Sequence, residues 1–217
     1  MKRLLAIGAL LGAALLPLLL QGCLPVVAAG ASGGALAAFD RRSLGTQTDD
    51  ESIEWKATAR VGEKPWENVH INFTSFNRRV LITGEVPSEQ VRSEVENIVS
   101  AVPQVQGLYN EMTVGPVTSF SARSNDSYIT TRVKSRFVDA GKFNAIHVKV
   151  VTEARVVYLL GLVTQREADA AVQVARTTSD VKKVVTLFEI ISDGKAKELD
   201  VSMPKSNPPA APPSGGG

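Results

Sequence analysis

Apolar residues in the stretch "DSYITTRVKSRFV" (residues 126–138) lie on two sides of the helix that their spacing predicts. Ile129, Val133 and Phe137 recur every four residues and predict an ordinary buried stripe. At about 100° per residue, a second row lies on the opposite face, which would be polar in a soluble helix. That second row consists of Tyr128, Thr131, Ser135 and Val138, with Arg132, Lys134 and Arg136 beside it.

The pattern around this helix occurs twice in the chain. Residues 68–90 align with residues 145–167 at an offset of 77 positions. Each copy predicts an amphipathic helix, with Asp50 or Asp126 as the N-cap, then two alternating strands joined by a short turn, a second helix and a last strand. Such a unit can place three strands in one mixed sheet with both helices on one face. We therefore predict an α+β fold of two tandem helix-strand-strand-helix-strand modules.

The segments that flank the repeat have a different composition. The last residues, "SNPPAAPPSGGG", cannot form a core and predict a disordered tail. The predicted boundaries are 1–22 for a signal peptide, 23–45 for a lipidated tether, 46–115 for the first module, 116–123 for a linker, 124–192 for the second module and 193–217 for a disordered Pro/Gly-rich tail.

The amino-terminal sequence predicts export and lipidation. Lys2 and Arg3 precede an apolar run, the arrangement of a secretory signal. The sequence "LQGC", which ends at Cys23, resembles the bacterial lipobox, which implies a diacylglyceryl thioether on that thiol and an acylated amine. Two or three acyl chains anchor a protein firmly. Leu24, in place of the aspartate that retains lipoproteins at the inner membrane, indicates the outer membrane, facing the periplasm. The alternative is a free or intermolecularly paired thiol, since one cysteine cannot form an intrachain disulfide.

Charge limits the partners that the chain can bind. Without Lys2 and Arg3 the chain has 22 basic and 22 acidic residues, so nothing indicates a general polyanion binder, and no nucleic-acid partner is expected. Residues 123–142 are locally basic, with five positive and two negative residues. A face with tyrosine, valine and flanking Lys/Arg suits the headgroup region of an anionic bilayer, where each basic residue contributes roughly 1 kcal/mol.

No catalytic group emerges from the sequence. His70 and His147 occupy equivalent places in the two copies and are interpreted as exposed or half-buried strand histidines. Neither has partners at metal-ligand spacing, so we predict no metal and no cofactor. Gly84 and Gly161 lack the surroundings of a phosphate-binding loop and predict tight bends at strand ends. The chain is therefore not expected to be an enzyme.

Family motifs appear most clearly in the second copy. "VYLLGLVTQREADAAVQVA" followed by "VKKVV" is typical of the BON domain (bacterial OsmY and nodulation). Together with the lipobox, "DRRSLGTQTDD" and "SNDSYITT", the chain resembles outer-membrane lipoproteins with two BON domains. That family usually has glycine in the strand-strand turn, where Arg78 and Ala154 stand here. The resemblance implies that the first helix of the second domain binds anionic phospholipid (phosphatidylglycerol or cardiolipin). It also implies support of envelope integrity, at division sites and through the outer-membrane protein assembly machinery.

The phospholipid site that the resemblance implies lies on that helix, and Val133 is its weakest member because it faces inward. The predicted site residues are Tyr128, Thr131, Arg132, Val133, Lys134, Ser135 and Val138. Alternatively, Tyr128 and Val138 pack against the first module, the linker or a partner protein. Two other functions stay open: a periplasmic scaffold or chaperone-like protein that binds envelope proteins, and a peptidoglycan binder that uses Trp55 and Trp66.

Overall fold

A computed structural model describes residues 40–201 and contains two modules of the predicted element order. The helices are α1 (Leu44–Gly62), α2 (Glu89–Ser100), α3 (Phe120–Ala140), α4 (Gln165–Arg176) and α5 (Asp193–Val201). The strands are β1 (His70–Phe76), β2 (Arg79–Val86), β3 (Gly107–Asn110), β4 (Thr113–Val114), β5 (Lys149–Glu153), β6 (Val156–Val163) and β7 (Lys183–Ile190). The predicted signal peptide, Cys23, the tether up to residue 39 and residues 202–217 lie outside the described residues.

Each module contains one mixed sheet, which confirms the predicted α+β fold. In the first, β1 pairs antiparallel with β2, and β2 pairs in parallel with both β3 and β4. In the second, β5 pairs antiparallel with β6 and β6 pairs in parallel with β7. The parallel strand is continuous over eight residues in β7 but is interrupted between β3 and β4.

The predicted helix starts are wrong. The N-caps are Ser43 and Ser119, whose hydroxyl oxygens accept hydrogen bonds from the backbone N–H groups of Thr46 and Ala122. Asp50 and Asp126 lie well inside α1 and α3, and both are buried.

These two buried aspartates hold the hairpin turns. Asp126 accepts hydrogen bonds from the backbone N–H groups of Ala154 and Arg155 at 2.9 and 2.8 Å. Both turn residues have positive φ values, 49° and 64°, as the tight turn of a two-residue hairpin requires. Asp50 binds the turn at residues 77–78 in the same way. A carboxylate from the first helix therefore stabilises a turn conformation that glycine would adopt more easily.

Each helix pair packs on one face of its sheet, and the opposite faces of the two sheets pack on each other. The predicted stripe of Ile129, Val133 and Phe137 is fully buried in the core of the second module. Along β2 and β6, alternate residues leave the module cores and form a separate cluster between the sheets. That cluster contains Leu81, Tyr158 and Leu160, together with Phe76 from the end of β1.

The predicted tail begins with a helix, so the prediction of disorder is wrong for residues 193–201. Helix α5 has nine residues, and Ala196 is buried against the fold. Asp200 accepts two hydrogen bonds from Arg41, at the other end of the described chain. These tertiary contacts add to the helix propensity of the Ala, Lys, Glu and Leu residues in this segment.

Candidate functional site

The side of α3 that faces away from the core is open to solvent. Tyr128 is 57% exposed and Val138 is 68% exposed, so neither the first module nor the linker covers them. Thr131, Lys134 and Ser135, between them along the helix, are exposed as well. The structure therefore brings five of the seven predicted site residues together on one accessible surface.

Val133 does not belong to this surface, and its inclusion was wrong. Its side chain is fully buried between α3 and the sheet of the second module. The helical period places it opposite Thr131 and Ser135.

The arginines of α3 are engaged by neighbouring groups. The guanidinium of Arg132 lies 5.5 Å from the centroid of the Tyr128 ring, donates to the Ser179 hydroxyl at 3.0 Å and lies 3.6 Å from a carboxylate oxygen of Asp180. Arg136 donates to the carbonyl and hydroxyl oxygens at the end of α4. Lys134 is the basic residue of this surface that has no ion pair among residues 40–201.

Phe120 extends the exposed surface and was missed by the sequence analysis. It is the first residue of α3 and is 79% exposed. It precedes Val138 by 18 positions, five full turns of an α-helix, so both lie on the same side. The predicted helix start at Asp126 excluded it, although Ser119 is a recognisable N-cap residue. We call the set Phe120, Tyr128, Thr131, Lys134, Ser135 and Val138 the outer face of α3.

A surface pocket of about 360 Å³ adjoins the carboxyl-terminal end of this face. Lys134 and Val138 line it from α3, and Ile146, 38% exposed, lines it from the following 3₁₀ turn. Asp40 and Arg42, which precede α1, line it from the other side.

His147 is not the exposed or half-buried strand residue that the sequence predicted. It ends the 3₁₀ turn Ala145–His147 and its side chain is only 4% exposed. Neither ring nitrogen has a hydrogen-bond partner within residues 40–201. His70 does lie half-buried in β1, where its Nε2 is 3.1 Å from Nδ2 of Asn72 and 3.7 Å from Oε1 of Glu153.

The guanidinium of Arg41 lies beside His147 and is 3% exposed. It donates to both carboxylate oxygens of Glu167, at 2.7 and 3.0 Å, and to both of Asp200, at 2.8 and 3.0 Å. A fifth hydrogen bond, of 2.9 Å, reaches the carbonyl oxygen of Leu162 at the end of β6. All five guanidinium donors are therefore satisfied, and two carboxylates compensate the buried charge. We call Arg41, Glu167 and Asp200 the clasp.

Burial and charge shift the pKa values of this cluster. Burial lowers the pKa of His147, and the charge of Arg41 lowers it further, against the opposing effect of Asp200, Glu167 and Asp40. Hydrogen bonds from Arg41 hold the pKa of Asp200 below its ordinary value. Burial alone would raise the pKa of Glu167, but hydrogen bonds from Arg41 and the Thr164 backbone outweigh it and lower the pKa.

Acid is therefore expected to destabilise the fold. The unfolded chain protonates His147 near its ordinary pKa of about 6.5, whereas the folded protein resists this proton, so the stability present above that pH falls as pH drops below it. Glu167 and Asp200 act in the same direction at lower pH. Urea unfolding across the range from about pH 7 to about pH 5 would measure the slope, at most about 1.4 kcal/mol per pH unit for one group. His147→Phe should flatten it, and an unchanged slope in that variant would contradict the assignment.

Trp66, Gly84 and Gly161 have structural roles, whereas Trp55 lies on the surface. Trp55 is 72% exposed on α1, but Trp66 is half-buried against the core of the first module, so the two are not equally available to a polymer. A Cβ on Gly84 or Gly161 would lie 1.9 or 2.4 Å from a backbone oxygen of the neighbouring chain segment, so both glycines permit close backbone approach.

Between residues 40 and 201, no cluster of His, Cys, Asp and Glu could hold a metal ion. Within the same range, no helix has the length and hydropathy to cross a bilayer.

The chain matches a known domain family and is similar to known proteins. The BON domain family matches twice, at residues 49–116 and 125–192. The chain is 40% identical over 174 residues to outer membrane lipoprotein DolP of Haemophilus influenzae, covering 79% of this chain and 90% of that protein. It is 33% identical over 154 residues to a 21 kDa hemolysin of Actinobacillus pleuropneumoniae, covering 70% of this chain and 79% of that protein.

One solved structure is also similar to this chain, but only weakly. It is CdsD, a structural protein of the type III secretion system of Chlamydia trachomatis. It has a TM-score of 0.28 and 13% identity, and the match covers 70% of this chain and 99% of that one.

Proposed function

This chain is an outer-membrane lipoprotein of the BON-domain family, and from that premise we propose that it binds anionic phospholipid through the outer face of α3. Acylated Cys23 provides the permanent anchor, and α3 provides a second, lipid-selective contact. The protein has no catalytic role in this proposal. Its two contacts with the bilayer concentrate it where anionic lipid is abundant, as at division sites, and thereby support envelope integrity.

The observation that carries the proposal is that three large apolar side chains are exposed on one face of α3, where no other part of residues 40–201 covers them. Phe120, Tyr128 and Val138 are each more than half exposed. Single exposed apolar residues are normal on protein surfaces, but three on one face of one helix suit a bilayer interface. Tyrosine places its ring at the headgroup level and its hydroxyl in water.

Electrostatic attraction between the outer face of α3 and an anionic bilayer is expected to be moderate. Arg132 lies against Asp180 and Arg136 is turned toward α4, so Lys134 is the main free cation of the outer face. Each such residue near an anionic surface contributes roughly 1 kcal/mol and is screened by salt. Binding should therefore depend on both anionic lipid and the apolar residues.

The double variant Tyr128→Ala with Val138→Glu tests the proposal directly. In the unacylated chain (Cys23→Ser), this change should weaken flotation with phosphatidylglycerol vesicles by at least about tenfold. It removes an interfacial aromatic and places a carboxylate against an anionic surface. Circular dichroism should be unchanged, because both side chains lie outside the core.

The matched control is Trp55→Ala with Thr58→Glu on the exposed side of α1, which makes the same kind of change in the first module. It should float like the unaltered chain. Equal loss in both double variants would indicate a general charge effect, and loss in the control alone would move the site to the first module.

The rival functions make different predictions. A scaffold for envelope proteins, including the outer-membrane protein assembly machinery, would retain its partner in neutral lipid and detergent. A peptidoglycan binder would sediment with sacculi, and Trp55→Ala would abolish this.

A further inference from the structure

Residues 40–43, "DRRS", form a short strap that contacts both modules before α1 begins. Within this strap, Arg41 and Arg42 bind different modules. The strap also connects α1 to the tether that leads back to Cys23. Its position therefore determines where the tether enters the folded part of the protein.

Arg41 attaches the strap to the second module. Through the clasp it joins the start of α4, where Glu167 lies, to α5, where Asp200 lies. Glu167 also completes the capping box of α4, accepting a hydrogen bond from the Thr164 backbone at 2.8 Å. The clasp therefore joins the strap, α4 and α5 in one buried hydrogen-bonded network.

Arg42 attaches the strap to the first module. Its guanidinium donates to Asp50 at 2.6 Å and to Asp40 at 2.6 Å. It also lies 4.1 Å from the centroid of the Phe76 ring at the end of β1. The strap is thus attached on both sides, by adjacent residues whose side chains diverge.

The strap lies beside the carboxyl-terminal end of the outer face of α3. Asp40 and Arg42 share the 360 Å³ pocket with Lys134 and Val138, two members of that face. The chain therefore enters the fold next to the residues that are proposed to meet the bilayer.

We propose that Arg41 is a positioning residue that holds the entry point of the acylated tether beside the outer face of α3, so that the anchor and this face contact the same membrane surface. This inference rests on the proposed function. A tether attached close to a second binding surface raises the effective concentration of that surface at the membrane, and a strap that is held by Arg42 alone, on the first module only, lowers it. The clasp thus strengthens lipid selectivity without contacting lipid.

The test compares acylated and unacylated chains with and without the clasp. A fluorescent NBD label on Ser124→Cys, an exposed position on α3, reports contact with the bilayer. The label is read in a series of phosphatidylethanolamine vesicles that contain an increasing fraction of phosphatidylglycerol. We expect acylated Arg41→Gln to need about threefold more phosphatidylglycerol for half-maximal fluorescence than the acylated parent. The unacylated pair (Cys23→Ser) should titrate alike, because the outer face of α3 is intact in both.

Lys197→Gln is the matched control, since it removes one positive charge from exposed α5 without touching the clasp. Asp200→Ala is the second clasp variant, because its side chain is 41% exposed and its loss disturbs the core less than loss of Arg41. Hydrogen exchange should show faster exchange in residues 40–48 and 193–201 of both clasp variants, but not of Lys197→Gln.

The outcomes separate the two proposals. If the unacylated parent binds anionic vesicles but acylated Arg41→Gln and Asp200→Ala titrate like the acylated parent, the positioning role is overturned and lipid binding stands. If the unacylated parent fails to bind at any phosphatidylglycerol content, the proposed function fails and the positioning role fails with it.

Discussion

Asp50→Ala is expected to lower the free energy of unfolding by about 4 kcal/mol. The buried carboxylate accepts hydrogen bonds from the Ser75 hydroxyl at 2.6 Å, the backbone N–H groups of Asn77 and Arg78 at 2.8 and 2.7 Å, and the Arg42 guanidinium at 2.6 Å. Alanine leaves these donors without an acceptor in a site that water scarcely reaches. It also leaves two turn residues with positive φ unsupported.

Urea denaturation monitored by circular dichroism would measure this loss. Asp126→Ala should cost less, about 2–3 kcal/mol, because the second module uses only the two backbone donors and has no arginine at the corresponding place. Asp49→Ala is the control on the same helix, and its partly exposed pairing with Arg78 should contribute under about 1 kcal/mol. A loss for Asp50→Ala no larger than that for Asp49→Ala would refute the turn-clamp assignment.

Leu81→Ala should destabilise both modules by about 3 kcal/mol, although it changes a residue of the first module only. Leu81 is fully buried between the sheets, against Tyr158 and Leu160 of β6. Each module buries a modest core, so the shared cluster contributes to the stability of both. Removal of one methine and two methyl carbons leaves a cavity that two packed sheets cannot close.

Hydrogen exchange resolves this effect by module. Protection of β6 amides should fall together with that of β2 amides. Val114→Ala, at a 45% exposed position on β4, should change neither by more than about 0.5 kcal/mol. Unchanged protection of β6 in Leu81→Ala would show that the modules unfold independently.

Local sequence patterns were sufficient for the architecture and for the outward position of most residues of the proposed lipid site. The spacing of Ile129, Val133 and Phe137 predicted which side of α3 faces the core, and therefore that Tyr128 and Val138 face outward. The starts of α1 and α3 were predicted wrongly because Asp50 and Asp126 match the N-cap pattern. Both are instead buried and accept hydrogen bonds from backbone N–H groups of the hairpin turns. Phe120 was lost from the site for the same reason.

The sequence by itself determined the repeat, the order of helices and strands, and the core stripes, because hydrophobic periodicity and turn chemistry act between residues close in the chain. Only the tertiary structure decided that two sheets pack face to face, that His147 is buried and that α5 packs on the fold. Arg41 lies 126 and 159 positions from the two carboxylates that bind it. The compensation of its buried charge depends on two carboxylates that meet only after the second module and α5 have folded, since no local pattern encodes which distant side chains will come within hydrogen-bonding distance.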